Sequence, residues 1–167
     1  MFRKKCTFAE ISYSEWDMER IYIDTSIFGG YFEAEFEQWT KPFIEKFIMG
    51  EYKLLYSQLT ELELQRAPRK VRNLITSIPV EHLEFLSITA AAENLANQYI
   101  QENVVGQTCI EDCRHIAIAT LNNADILASW NFKHIVNVRR IRGYNSVNYR
   151  NGHKILEIRT PREIIIS

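Results

Sequence analysis

The sequence predicts an α/β domain of three layers, α/β/α, with a mostly parallel central sheet of four to five strands. Two patterns point there. Short apolar runs rich in Ile, Leu and Tyr alternate with longer segments whose apolar residues recur at helical spacing. Three of those runs, "RIYID", "YKLLYS" and "DILAS", end on a carboxylate or a hydroxyl: Asp24, Ser57 and Ser129. In parallel sheets covered on both faces, functional groups gather just beyond the C-terminal strand ends.

Residues 1–17, "MFRKKCTFAEISYSEWD", lack periodicity and read as an N-terminal extension, flexible or the result of a start assigned upstream of Met18. Residues 18–167 then form a single domain, and a chain of 167 residues suits one domain with a substantial core. "RIYID" is the first strand. Residues 34–50, "AEFEQWTKPFIEKFIMG", set Phe36, Trp39, Phe43, Phe47 and Ile48 at helical spacing, as a core or dimer face, and stop at Gly50. "YKLLYS" is the second strand, and "QLTELELQRA" a helix ended by Pro68. "PRKVRNLITSI" reads as a short helix closed by Pro79, and "SITAAAENLANQYIQEN" as an Ala-rich helix opened by a cap-like Ser87. "CIEDCRHIAIATLNNA" is a further helix and "DILAS" the third strand. "NFKHIVN" reads as a short helix, "VRRIRGYNSVNYRNG" as a basic helix or loop, and "HKILEIR" as the last strand.

Composition narrows the function classes. No apolar run approaches the twenty or so residues needed to span a bilayer, and no apolar signal core follows the N-terminal basic residues. No membrane association is expected. The three cysteines, Cys6, Cys109 and Cys113, form no CxxC pair, which favours reduced thiols in a cytoplasmic protein. Charge is unevenly spread: residues 1–132 hold 12 Lys and Arg against 19 acids, and residues 133–167 hold 8 against 2. Segment 137–154 carries five Lys or Arg and no acid, interleaved with Tyr144 and Tyr149. Arginines for phosphates and rings for bases suit single-stranded RNA, with Arg139, Arg140 and Arg142 the expected contacts; a solvated basic loop is the alternative.

Aspartate is scarce, four residues against 17 glutamates, so each is worth placing. Asp24 ends the first strand, Asp112 lies in the first turns of a largely apolar helix, and Glu63 follows the second strand. In a parallel sheet these three converge over one edge. Clustered carboxylates repel and are costly to bury without a cation, and oxygen-only ligands suit Mg²⁺ or Mn²⁺. Taken singly, Asp24 could cap a turn with Thr25 and Ser26, Glu63 could be a surface residue with Glu61 as its rival, and Asp112 could pair with a helix dipole. Asp125, at the start of its strand, reads as structural. Cys113 and Trp130 read as packing residues, and His115 as packed or hydrogen-bonded.

Four motifs carry a family resemblance: "IYIDTS" with Asp24; "SQLTELEL", with Glu63 six residues after Ser57; "DCRHIA" opening a helix on Asp112; and "LASWNF" with Ser129 and Asn131. Over roughly residues 18–167 the chain resembles the PIN-domain family, close to the VapC-type toxin ribonucleases of bacterial toxin–antitoxin pairs. The resemblance implies a PIN-like fold and a metal-dependent endoribonuclease. Asp24, Glu63 and Asp112 would hold Mg²⁺ or Mn²⁺, with Asn131 at a fourth catalytic position that is acidic in the family. Thr25, Ser26 and Ser129 would hydrogen-bond the ligands or a substrate phosphate. The partners it implies are RNA, a cognate antitoxin that inserts into the active-site groove, and a second copy of the chain in a homodimer. Asn131 brings no charge and leaves an alternative: a catalytically weakened module that binds RNA or protein. A phosphoacceptor receiver domain lacks its acidic pair and late lysine here, and a nucleotide-binding fold lacks its glycine-rich loop.

Overall fold

The computed structural model describes residues 18–166, so the reading of residues 1–17 as an extension lies outside the described residues. Five parallel strands form one sheet: β1 (Glu19–Ile23), β2 (Tyr52–Ser57), β3 (Leu83–Leu86), β4 (Ile126–Ala128) and β5 (Glu157–Arg159), in the order β3-β2-β1-β4-β5. Eight α-helices accompany them: α1 (Thr25–Gly30), α2 (Glu37–Ile48), α3 (Gln58–Leu64), α4 (Arg69–Arg72), α5 (Ala90–Gln101), α6 (Ile110–Leu121), α7 (Val138–Arg150) and α8 (Pro161–Ile165).

Both faces of the sheet are buried, and alternate residues of each strand feed opposite cores. Tyr22, Leu55 and Leu127 pack with Ala96, Tyr99, Ile116 and Tyr144 under α5, α6 and α7. Ile21, Ile23, Leu54 and Ile126 pack with Phe28, Phe43, Phe47 and Ile164 under α1, α2 and α8. Most of the aromatic stripe of α2 is therefore core. Gly50 ends that element at φ +75°, where a Cβ would meet the His82 ring at 2.7 Å.

Several local expectations are corrected. β3 is not among the strands the sequence predicts; "LEFL" is four residues long and pairs only with β2. "TSIFGG" forms α1 despite its two glycines, and α2 begins at Glu37 rather than 34. The cap of α5 is Thr89, whose hydroxyl accepts from the Ala92 N–H at 3.1 Å, and not Ser87. "NFKHIVN" is a turn: the Asn131 carbonyl accepts from both Ile135 and Val136, and no helix propagates. Of the two readings of the basic segment the helix holds, over residues 138–150, and the last strand starts at Glu157, not His153. Asp125 joins the entrance of β4 to β1 through the Arg20 N–H at 2.8 Å, at the opposite end from Asp24, a structural role as read.

The chain changes direction across the sheet at β1, which has β2 on one side and β4 on the other. A crevice forms beyond the carboxyl ends of strands at such a switch point. Asp24 follows β1 and Ser129 follows β4 at that point, with the Asp24 N–H bonded to the Ala128 carbonyl.

Candidate functional site

Asp24 stands at the N-cap position of α1 but does not cap it. Its carboxylate instead accepts from two hydroxyls, Ser26 at 2.5 Å and Ser129 at 2.7 Å, and is only 4% exposed. Ser26 Oγ also receives the Trp130 N–H at 2.9 Å, and Ser129 Oγ receives the Asn131 N–H at 2.9 Å. The Trp130 indole donates to Thr40 and stacks on Phe36, so it packs behind the site as expected.

Glu63 projects from α3 toward the same rim, while Glu61 is exposed. The Thr25 hydroxyl donates to Glu63, and His115 Nε2 lies 3.2 Å from the same carboxyl oxygen. His115 Nδ1 meets the Tyr22 hydroxyl at 2.7 Å, and that hydroxyl meets Ser57 Oγ at 2.8 Å. Ser57 is in turn fixed as the N-cap of α3 by a capping box with Thr60. Burial pushes the Tyr22 phenol far above its ordinary value, so it stays protonated. The Tyr22 hydroxyl and Glu63 thus hold the His115 ring from its two nitrogens.

Asp112 sits in the first turn of α6, where Asn131 Nδ2 donates to its Oδ1 at 2.8 Å. Hydrogen bonds thus link Glu63 to Thr25, the residue next to Asp24, and run from Asp24 through Ser129 and Asn131 to Asp112. The three acids occupy one strand-end rim without closing on one point. Among the described residues, the one trio of His, Cys, Asp or Glu whose ligand atoms all lie within 4.8 Å of one another is Cys109, Asp112 and His134.

The electrostatics of the rim are unfavourable to its own charges. Burial raises the Asp24 carboxyl above its usual range; His115 and the Ser26 and Ser129 hydroxyls oppose this, and the Glu63 charge adds to it. Burial likewise raises Asp112, against the pull of His134, His115 and Asn131. Burial also works to raise Glu63, but the His115 hydrogen bond and charge, with Thr25, hold it below the usual range. Among the described residues no Lys or Arg forms an ion pair with Asp24 or Asp112. Asp24 and Asp112 thus lack a cationic ion-pair partner among these residues, and Glu63 is met by His115; the three carboxylates offer the oxygen-only donors that a hard divalent cation takes, without closing on one point.

Sequence reasoning placed Asp24, Glu63, Asp112, Asn131, Thr25, Ser26 and Ser129 here, and all seven lie on this rim. It missed Tyr22 as a site residue; its only signal is a polar-tipped ring between two isoleucines. Arg139 and Arg142 are exposed on α7, whereas Arg140 is partly buried and donates to the Val104 carbonyl at 3.0 Å. Tyr144 cannot stack on a base: it is fully buried and donates to the His134 carbonyl. Tyr149 is 74% exposed. Cys113 is a core filler, its thiol pushed up to about 12 chiefly by burial.

No protein-family model matches the chain, and no curated protein matches it in sequence. Solved structures do. The chain is similar to VapBC2 from Rickettsia felis, seen bound to a DNA fragment from their promoter, at 14% identity over 84% of this chain and 98% of that one, with a TM-score of 0.52. The fold is that of a PIN domain. A further likeness is to VapC20 of Mycobacterium tuberculosis, a sarcin–ricin loop cleaving toxin, at 13% identity over 68% of this chain and 91% of that one, with a TM-score of 0.49. At 14% identity what is shared with the first is the fold, and the roles of individual residues in this chain rest on its own geometry. Among the described residues no helix is long and apolar enough to cross a membrane.

Proposed function

We propose that the chain is a metal-dependent endoribonuclease that hydrolyses RNA phosphodiester bonds, the toxin of a toxin–antitoxin pair. The hydrogen-bonded string that ties Asp24, Glu63 and Asp112 together at the sheet's switch point supports this reading most directly. Asp24, Glu63 and Asp112 would hold a Mg²⁺ or Mn²⁺ ion, which would supply positive charge for the phosphoryl oxygens and lower the pKa of a bound water. Ser26 and Ser129 orient Asp24, Thr25 and His115 orient Glu63, and Asn131 orients Asp112. Arg139 and Arg142 on α7 offer phosphate contacts, and the exposed Tyr149 ring a base-stacking surface. The proposed substrate is RNA, and the proposed location is the cytoplasm.

The partners proposed are a cognate antitoxin and a second copy of the chain. An open apolar groove supports the first: Phe36, Trp39, Trp130, Phe132 and Val138 line it, and Trp130 and Phe132 flank Asn131 directly. An antitoxin segment seated there would lie beside Asn131.

A panel of RNAs incubated with Mn²⁺ tests the hydrolytic reading, comparing the parent with Asp24→Asn. Metal-dependent cleavage that falls about 100-fold or more in the variant is the expected result, the upper end of the loss that follows when a metal site is disturbed. Asn131, which adds no charge, favours a second reading as an RNA- or protein-binding module. RNA retention with no cleavage by either form selects that reading.

A further inference from the structure

Cys109, Asp112 and His134 lie beside the carboxylate rim but combine a different set of donor atoms. Cys109 closes a 3-10 turn (Gln107–Cys109) immediately ahead of α6 and is only 5% exposed. Asp112 follows within the first turn of α6, and His134 comes from the turn after β4. The thiol sulfur, a carboxylate oxygen and an imidazole nitrogen all lie within 4.8 Å of one another.

The Cys109–His134 spacing matches a tetrahedral ion. Cys109 Sγ and His134 Nδ1 are 3.4 Å apart. Zinc bonded to sulfur and nitrogen at its ordinary lengths and a tetrahedral angle sets those two atoms about 3.5 Å apart. A hydrogen bond already holds them at this separation.

Asn131 fixes the other two ligands. Its Nδ2 donates to Asp112 Oδ1 at 2.8 Å, and its Oδ1 accepts the His134 backbone N–H at 3.0 Å. An aspartate at position 131 could accept from His134 but would repel Asp112. The amide therefore performs a task that the acid of the related pattern cannot: it orients Asp112 and anchors the His134 turn at once.

We propose that Cys109, Asp112 and His134 form a binding site for a borderline-soft transition ion of the Zn²⁺ class, with Asn131 as the residue that positions two of its ligands. Thiolate and imidazole select such an ion over Mg²⁺, which takes oxygen donors. Three protein ligands leave the fourth tetrahedral position to a water. The site shares Asp112 with the proposed nuclease centre, yet it stands whether or not the chain cleaves RNA.

Co²⁺, a spectroscopic substitute for Zn²⁺, tests the site in the full chain with Cys6 and Cys113 replaced by Ala. Expected are a near-ultraviolet thiolate-to-cobalt charge-transfer band that saturates at one equivalent of Co²⁺, strong visible bands of tetrahedral geometry, and displacement by Zn²⁺. Cys109→Ser and His134→Ala should abolish the near-ultraviolet band or weaken binding by about 10-fold or more, and Asn131→Ala should weaken it by about 10-fold. Asp24→Asn, which disables the proposed nuclease centre, should leave the band intact, so the two readings fail separately. Circular dichroism confirms that each variant is folded. Failure to bind Co²⁺, or binding with an oxygen-only spectrum that Cys109→Ser leaves unchanged, overturns the proposal.

Discussion

Tyr22 puts a hydroxyl into the core beneath the site, and the residues around it turn that cost into orientation. Its phenol, Ser57 and His115 are all buried, and together they hold the imidazole against Glu63. His115→Ala leaves the Tyr22 hydroxyl short of a partner, which costs about 1–3 kcal/mol in denaturant unfolding, and it weakens Mn²⁺ binding by roughly 10-fold or more in calorimetry. Unchanged Mn²⁺ affinity in a folded variant would remove His115 from the site. Asp24 makes the opposite prediction for stability. Its carboxyl is raised above the ordinary 3.8, so the folded chain holds the proton more tightly than the unfolded chain does. Stability from this group therefore falls as pH rises from the ordinary value through the raised one, and the penalty persists above it. Without divalent ions at neutral pH, Asp24→Asn should be more stable than the parent by about 0.5–2 kcal/mol. Adding Mn²⁺ should raise the parent's melting temperature and leave the variant's unchanged, as scanning calorimetry would read. Asp24 and Asp112 could be placed from sequence because each sits where an apolar strand or helix makes a carboxylate conspicuous. The His115–Tyr22 contact could not, because it joins positions 93 apart whose proximity only the packed sheet creates.

Among the elements, α7 carries the proposed RNA contacts. Its inner face, Tyr144, Val147 and Asn148, is buried, and Arg139 and Arg142 stay on the outside. Reversing both charges, Arg139→Glu with Arg142→Glu, should weaken RNA binding across sequences alike. It should also flatten the salt dependence by about one unit of slope for each phosphate no longer neutralised, measured by filter binding across a salt series. An unaltered slope would place the RNA elsewhere. Periodicity leaves helix and loop open in this segment because nine of the helix's 13 residues are Arg, Asn, Ser, Gly or Tyr149, which carry little apolar signal. β1, β2 and β4 are readable because central parallel strands are apolar on both faces. β3 is not: an edge strand of four residues, half-exposed, gives too short an alternation to stand out between Pro79 and Ser87. The turn at 131–137 resembles a helix by composition, yet the Asn131 side chain bonds the His134 N–H and closes a turn there.

At the scale of the molecule, the order β3-β2-β1-β4-β5 is what makes a site out of residues spread from 24 to 131. The sheet's three central strands all end at the same edge, and α3 and α6 start over that edge, so acids at strand ends and in first helical turns must share it. The alternation of strands and helices reveals this much from sequence; how closely the carboxylates approach is not legible there, because that depends on side-chain rotamers and on the hydroxyls between them. The central claim is that Asp24, Glu63 and Asp112 together hold one divalent ion. Anomalous X-ray diffraction from crystals of the full chain soaked in Mn²⁺ measures this most directly. A single Mn²⁺ peak in contact with the carboxylates of Asp24 and Asp112, with Glu63 bonded directly or through water, is the predicted result. Saturating Mn²⁺ with no density between those carboxylates, or density confined to Cys109 and His134, would contradict it.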